Sequence, residues 1–233
     1  MKTADEHRLQ SHLQNGSKDL KVFYGEPVPD INIERRLGGR VAGLDEVGRG
    51  ALAGPVVAAA VVLHLGRLPA QLLATLDDSK RLSLAQRESL FAALTDTDYA
   101  DIGTGQADVA EIDALNILKA TFLAMTRAIG TLRGVDYAIV DGNQAPALRC
   151  PAFPLVKGDR LSVSIAAASI VAKVTRDRLM MRLAEGHPGY RWERNVGYGT
   201  PAHRAAIAKL GLTPHHRRSF RLGVAPQHTG SLN

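Results

Sequence analysis

From Arg40 onward the chain settles into apolar runs of strand length: VAGLDE, then PVVAAAVVL beyond a Gly-rich turn, then ADIGTGQ over residues 100–106. Three adjacent strands, at least partly joined as hairpins, fit that order. A helix is predicted between the second and third, opening at the capping residue Ser83 and ending near Leu94. After the third strand, Asp108 reads as the N-cap of one long helix. Its Ile112, Leu115, Leu118, Phe122, Met125 and Ile129 recur at three- and four-residue steps, which makes a buried stripe. Two further strands follow, YAIVDG and FPLVKGD, and then a helix from about Ser164 that Gly186 and Pro188 close. A meander followed by alternating strand and helix predicts a mixed sheet with helices on its faces, an α/β arrangement. Residues 1 to about 37 differ: they are polar, carry Gly25, Pro27 and Pro29 close together, and lack a sustained period. They read as a mobile extension ahead of one domain over 38–223, with residues 224–233 as a tail.

Composition narrows the class. With 233 residues, 45% apolar and 22% charged, the chain can bury one ordinary core. The single cysteine, Cys150, allows neither an internal disulfide nor a Cys-based zinc cluster, which suits a reducing compartment. The N-terminal MKTADEHRLQSHLQNG lacks the apolar stretch of a secretory signal, so a cytoplasmic protein is expected. The longest apolar run, 51–63, is shorter than the ~20 residues of a bilayer span and is broken by Gly54 and Pro55, so no membrane contact is expected. The net charge of +6 is local. Residues 191–221 hold seven basic side chains (Arg191, Arg194, Arg204, Lys209, Arg217, Arg218, Arg221) against Glu193 alone, and the rest of the chain balances at 22 of each sign. Such a segment suits a polyanion contact, although ordinary solvated charge gives the same pattern.

Acidic residues fall at the ends of three predicted strands: Asp45 with Glu46, Asp141, and Asp159. Taken singly, each could be a turn or cap residue. If they converge within ~5 Å, each like-charge pair costs ~3 kcal/mol at an effective dielectric of ~20, and bound divalent cations remove that conflict. Oxygen ligands without His or Cys select hard ions such as Mg²⁺ or Mn²⁺. Gly48-Arg49-Gly50 could bring backbone N–H groups and a guanidinium close to phosphate or sugar oxygens, or could be a plain turn. GRGALAG has one residue too many for a dinucleotide loop. Asp78-Ser79-Lys80 precedes a helix and could hold a phosphate. Tyr198, flanked by Gly197 and Gly199 inside the basic segment, could stack on a sugar or base. His215-His216-Arg217-Arg218 lacks a further soft ligand for zinc and reads as phosphate-contacting surface.

These motifs together resemble the ribonuclease HII family. Gly43-Leu44-Asp45-Glu46-Val47-Gly48-Arg49-Gly50 with Gly54-Pro55 looks like the family signature. Asp78-Ser79-Lys80-Arg81-Leu82, Glu111-Ile112-Asp113, Val140-Asp141-Gly142-Asn143, Lys157-Gly158-Asp159, Ala167 through Val174, Gly197-Tyr198-Gly199-Thr200 and His216 through Phe220 follow in family order. The resemblance covers about 41–220. It implies a ribonuclease H-like fold, with a central mixed five-stranded sheet flanked by helices and a helical C-terminal segment. It implies an endoribonuclease that cuts the RNA strand of RNA–DNA hybrids and nicks 5′ of single ribonucleotides in duplex DNA, leaving 5′-phosphate and 3′-hydroxyl ends. Such an activity belongs with replication and ribonucleotide excision repair. Two Mg²⁺ or Mn²⁺ ions would be held by Asp45, Glu46, Asp141 and Asp159, one activating water and the other steadying the leaving 3′ oxygen. Gly48, Arg49 and Gly50 with Tyr198 would sense the ribose 2′-OH, and Ser79, Lys80 and Lys173 would contact phosphates. Arg49 favours this family over the similar third ribonuclease H type, which normally has Lys there. The stretch before Arg40 exceeds the start expected of the family. A monomer is expected, and residues 221–233 carry no recognisable clamp-binding motif.

Overall fold

The computed structural model describes residues 22–23, 26–96 and 98–222. The clamp-motif reading and most of the expected N-terminal extension lie outside the described residues. A short ribbon pairs β1 (Val22–Phe23) with β2 (Glu26–Pro27) and leads into helix α1 (Asn32–Leu37). The central sheet holds β3 (Val41–Val47), β4 (Val56–Leu63), β5 (Ala100–Ala107), β6 (Tyr137–Asp141) and β7 (Ala152–Leu155). Its order is β5-β4-β3-β6-β7, with β3, β4 and β5 antiparallel and β6 and β7 added in parallel. This is the expected mixed five-stranded α/β sheet.

Helices cover both faces, and a short helix α2 (Ala70–Thr75) follows β4. Strand β4 is buried along its whole length, which explains a continuous apolar run where a half-exposed strand would alternate. Its Val56, Ala58, Ala60 and Val62 pack with Ala120, Ala124, Met125 and Ala128 of α5 (Ile117–Gly130). Its Ala59, Val61 and Leu63 point the other way, into Ala166, Ala167, Ile170 and Val171 of α6 (Val163–Gly186) and Leu90 and Leu94 of α3 (Leu84–Thr95). The first half of α6 is buried on nearly every side because it is pressed between sheet and α3. It lies so close to β3 that a Cβ on Gly43 would stand 2.2 Å from the Ser164 carbonyl carbon. Asp45 follows two residues later, so this tight contact sets the depth at which the β3 carboxylate emerges.

Three expectations change in detail. The predicted long helix is two, α4 (Val109–Leu115) and α5, broken at Asn116 with φ +72°. The Asn116 side chain accepts from the N–H groups of Leu118 and Lys119, which caps the second helix and leaves Leu115 exposed, off the buried stripe. Secondly, α1 lies where no helix was expected. A six-residue helix is too short to show a period and depends on docking. Here Ile33 and Leu37 pack with Val41, Ile139, Phe153 and Ile165. The buried Glu34 accepts from Ser162 Oγ at 2.5 Å and Ser164 N–H at 3.0 Å at the start of α6. The third change concerns the C-terminal segment. Its α7 (Trp192–Asn195) and α8 (Pro201–Leu210), with the end of α6, enclose a separate apolar cluster of Leu52, Met180, Tyr190, Trp192, Ile207 and Leu222. Residues read as surface lie within or beside it.

Candidate active site

Parallel pairing of β3 with β6 aligns Leu44 with Val140. The next position sets Asp45 beside Asp141 at the spacing of neighbouring strands, ~5 Å, and both side chains leave the same sheet face. Strand β7 then runs into a one-turn 3₁₀ helix, Gly158–Arg160, that delivers Asp159. The turn is tied to β6 by a 2.7 Å hydrogen bond from Gly158 N–H to Asp141 Oδ1. From the opposite side comes the loop before α3: Lys80 Nζ lies 3.8 Å from Asp159 Oδ2 and 3.9 Å from Asp78 Oδ1.

The carboxylates sense one another. Burial, then repulsion from Glu46 and Asp141, pushes the Asp45 carboxyl well above the usual range. Burial raises Glu46 too; Arg49, whose Nη1 is 3.1 Å from Glu46 Oε1, opposes that rise, and Asp141 adds to it. Asp141 is raised by burial against the pull of the Gly158, Asp159 and Gly142 N–H groups. Asp159 is pushed up to about 6 by burial, Asp141 and Asp78. Burial would lower the Lys80 ammonium, but Asp78, Asp45, Asp159 and Asp141 outweigh it and its pKa rises. Asp45, Glu46, Asp141 and Asp159 are thus an electrostatically linked, oxygen-only donor set with excess negative charge. That chemistry fits hard divalent cations. Among the described residues no group of three or more Asp, Glu, His or Cys side chains is gathered closely enough to hold a metal ion by itself. An open set suits Mg²⁺-type ions, which take one or two carboxylates and complete their shell with water and phosphate oxygens.

Beyond Glu46 the chain turns through Gly48 (φ +92°), exposed Arg49 and Gly50. Tyr198 stands against this loop: Ala51 pairs with it in an isolated bridge, and its Cε1 would be 4.0 Å from a Cβ on Gly50. So the three loop residues and Tyr198 do come together, next to Glu46.

Of the other expected contacts, Ser79 and Lys173 are engaged within the protein and Arg218 stays at the surface. Ser79 is buried, with Oγ 2.9 Å from Ser169 Oγ. Ser169 in turn hydrogen-bonds Asp45, and a carboxylate only accepts, so the chain runs Ser79 to Ser169 to Asp45 and steadies the carboxylate. Lys173, one turn further along α6, donates to Asp177 at 2.8 Å. Arg218 is exposed, its backbone N–H bonded to Asp113.

Arg217 requires a correction. It is fully buried and donates to the carbonyls of Gly54, Arg49 and Gly48 at 3.0, 2.9 and 2.7 Å, so it braces the loop from behind and cannot sit on a phosphate-contacting surface. His216 is also buried, 3.2 Å from His203 through their Nε2 atoms.

Sequence reasoning missed Ser169 and Arg176. Arg176 is fully buried under Gly48, where a Cβ would stand 2.1 Å from its Nε. Its position was a signal: Ser169, Ala172, Arg176 and Met180 fall on one helical row, and an arginine inside a buried row demands partners.

Comparison with known proteins bears on the family and the fold. The family model described as Ribonuclease HII matches residues 42–222. A ribonuclease HII of Rhodospirillum rubrum is 61% identical over 194 residues, 83% of this chain and 89% of that protein. The solved ribonuclease H2 of Pyrococcus horikoshii superposes with a TM-score of 0.63 at 27% identity, covering 78% of this chain and 94% of that one. Bst-RNase HIII, solved in complex with Mn²⁺, shares the fold with a TM-score of 0.58 at 20% identity over 84% of this chain and 71% of its own.

Proposed function

The chain belongs to the ribonuclease HII family and is an endoribonuclease acting on RNA–DNA duplexes, and from that premise we propose that it also nicks duplex DNA 5′ of a single ribonucleotide, using Asp45, Glu46, Asp141 and Asp159 to hold two divalent cations. The observation that carries this reading is the adjacency of two features: the acidic strand ends of β3 and β6, and the Gly48–Gly50 turn faced by Tyr198. One feature supplies the chemistry and the other the selection.

When bound, Mg²⁺ or Mn²⁺ supplies the Lewis acidity that eases deprotonation of the attacking water and departure of the 3′ oxygen. The protein's own contribution is position. Asp45 is fixed by Ser169 and by the Glu46 N–H at 2.7 Å, and Asp141 by the main chain of the Asp159 turn. The exposed ammonium of Lys80 offers a mobile charge for a phosphate next to the cut. Arg49 and the loop amides face the sugar, where the 2′-OH is the one group that separates RNA from DNA, and the Tyr198 ring packs on the same residue. In the reaction the water oxygen bonds to phosphorus, the bond from phosphorus to the 3′ oxygen breaks, and that oxygen leaves with a proton. The products are a 5′-phosphate and a 3′-hydroxyl.

The Asp141→Asn protein tests the role of the acids. It should bind an RNA–DNA hybrid about as tightly as the parent while cleavage in Mg²⁺ or Mn²⁺ falls below detection. Cleavage within about tenfold of the parent would remove Asp141 from the cation site.

A further inference from the structure

Arg176 and Arg217 are the two fully buried guanidiniums of the described residues, and both lie behind the Gly48–Gly50 turn. Arg176 donates from Nε to the Pro55 carbonyl at 2.9 Å, from Nη1 to Val196 at 2.8 Å and from Nη2 to Ala53 at 3.1 Å. Arg217 donates to Gly54, Arg49 and Gly48. Burying two like charges side by side is costly, and an apolar pair of similar volume would commonly be no less stable. Stability alone therefore gives no reason for this arrangement.

Two geometric consequences give one. Arg217 draws the Gly48 and Arg49 carbonyls inward. In trans peptides the following N–H groups, those of Arg49 and Gly50, then point outward to the open side. Arg176 meanwhile holds the carbonyl of Val196, a β-branched residue at φ +42°, a conformation that such residues rarely adopt. Gly197 and Tyr198 follow directly, and the Arg176 guanidinium lies 5.6 Å from the Tyr198 ring centroid. The Gly197 carbonyl accepts from Leu52 and Ala53 N–H, so the two loops are stitched together above the arginine pair. A planar, five-donor fork suits this task and an ammonium does not.

We propose that Arg176 and Arg217 are positioning residues that together hold the Gly48–Gly50 amides and Tyr198 in the register that reads a ribose. This deepens, and rests on, the ribose-sensing reading of that loop. Neither arginine touches substrate. Each acts through the main chain it grips.

The test uses the full chain with Arg176→Lys and Arg217→Lys, which keep charge and lose the fork, and with Arg176→Gln and Arg217→Gln as second variants should a lysine protein not melt cooperatively. Cleavage of a duplex holding one ribonucleotide is compared with Mn²⁺ affinity by calorimetry and with amide hydrogen exchange. The expected result is a ten- to hundredfold loss of kcat, the scale of an ångström's misplacement, with Mn²⁺ affinity kept and faster exchange confined to residues 48–55 and 196–199. Unchanged kcat, or loss accompanied by lost Mn²⁺ binding and global exchange, overturns the proposal. Gly50→Ala and Tyr198→Ala separate the two readings. If they leave ribose preference intact, the ribose-sensing reading falls and takes the proposal with it. If they lower it while the arginine variants do not, only the proposal falls.

Discussion

Single residues here carry two kinds of information, and only one is visible in a sequence. Asp45, Glu46, Asp141 and Asp159 could be picked out because a strand end followed by an acid is a local pattern. Arg217 could not, because a buried arginine and a surface arginine read alike until its partners, 163 to 169 positions away, are known. His216 shows the same limit. Its Nδ1 accepts from Thr213 N–H at 2.9 Å, and its Nε2 faces His203, which also accepts from Trp192 Nε1 at 3.0 Å. This network needs a neutral His216. Burial, then His203, lowers its pKa to about 4 from an ordinary 6.5. Above pH 6.5 folded and unfolded forms are both neutral there, and the contribution to stability is complete. Between 6.5 and 4 only the unfolded chain takes up the proton, so stability is lost as pH falls through that window. The melting temperature should drop across it, and His216→Gln should flatten the drop. An equal slope in both proteins would show that other groups govern acid sensitivity.

At the scale of elements, the strands were legible as apolar runs of strand length, and the α3 and α6 helices by their punctuation, Ser83 opening one and Gly186 with Pro188 closing the other. Helix α1 was not, since six residues depend on contacts made elsewhere. Those contacts tie the N-terminal segment to the stretch just after the Asp159 turn: Asp30 N–H donates to the Leu161 carbonyl, and Val163 N–H to the Asp30 carbonyl. Residues 30–34 thus grip 161–164, immediately beyond Asp159 and Arg160. Replacing Glu34 by Ala leaves the Ser162 hydroxyl proton and the Ser164 N–H without their acceptor in the interior, while Ser162 Oγ still accepts from Ile165 N–H. The expected cost is about 1–3 kcal/mol in denaturant unfolding, while a change within a few tenths would make the latch incidental. The split at Asn116 was hidden for a related reason: a helix period runs across the break almost in phase, and only the φ of one residue records it.

Across the whole molecule, charge and burial must be read together. Of the seven basic residues in 191–221, Arg217 is buried and the other six are exposed, so most of the local excess does face solvent. A phosphate contact contributes about 0.9 to the slope of log affinity against log salt. Arg218→Ala should flatten that slope on an RNA–DNA hybrid by about one unit and leave melting unchanged, if its guanidinium meets phosphate. Arg217→Ala should lower the melting temperature instead. An unchanged slope for Arg218→Ala would take it off the contact surface.

Central to the proposed function is that clustered strand-end acids cut where a neighbouring turn detects one sugar hydroxyl. Two end-labelled DNA duplexes of the same sequence, one carrying a single ribonucleotide and the other none, are incubated with the protein in Mg²⁺ or Mn²⁺. One nick is expected on the 5′ side of the ribonucleotide, with a 3′-hydroxyl on the upstream fragment, and an intact all-DNA duplex. Equal cutting of both duplexes, or of neither while a longer RNA–DNA hybrid is degraded, would contradict it.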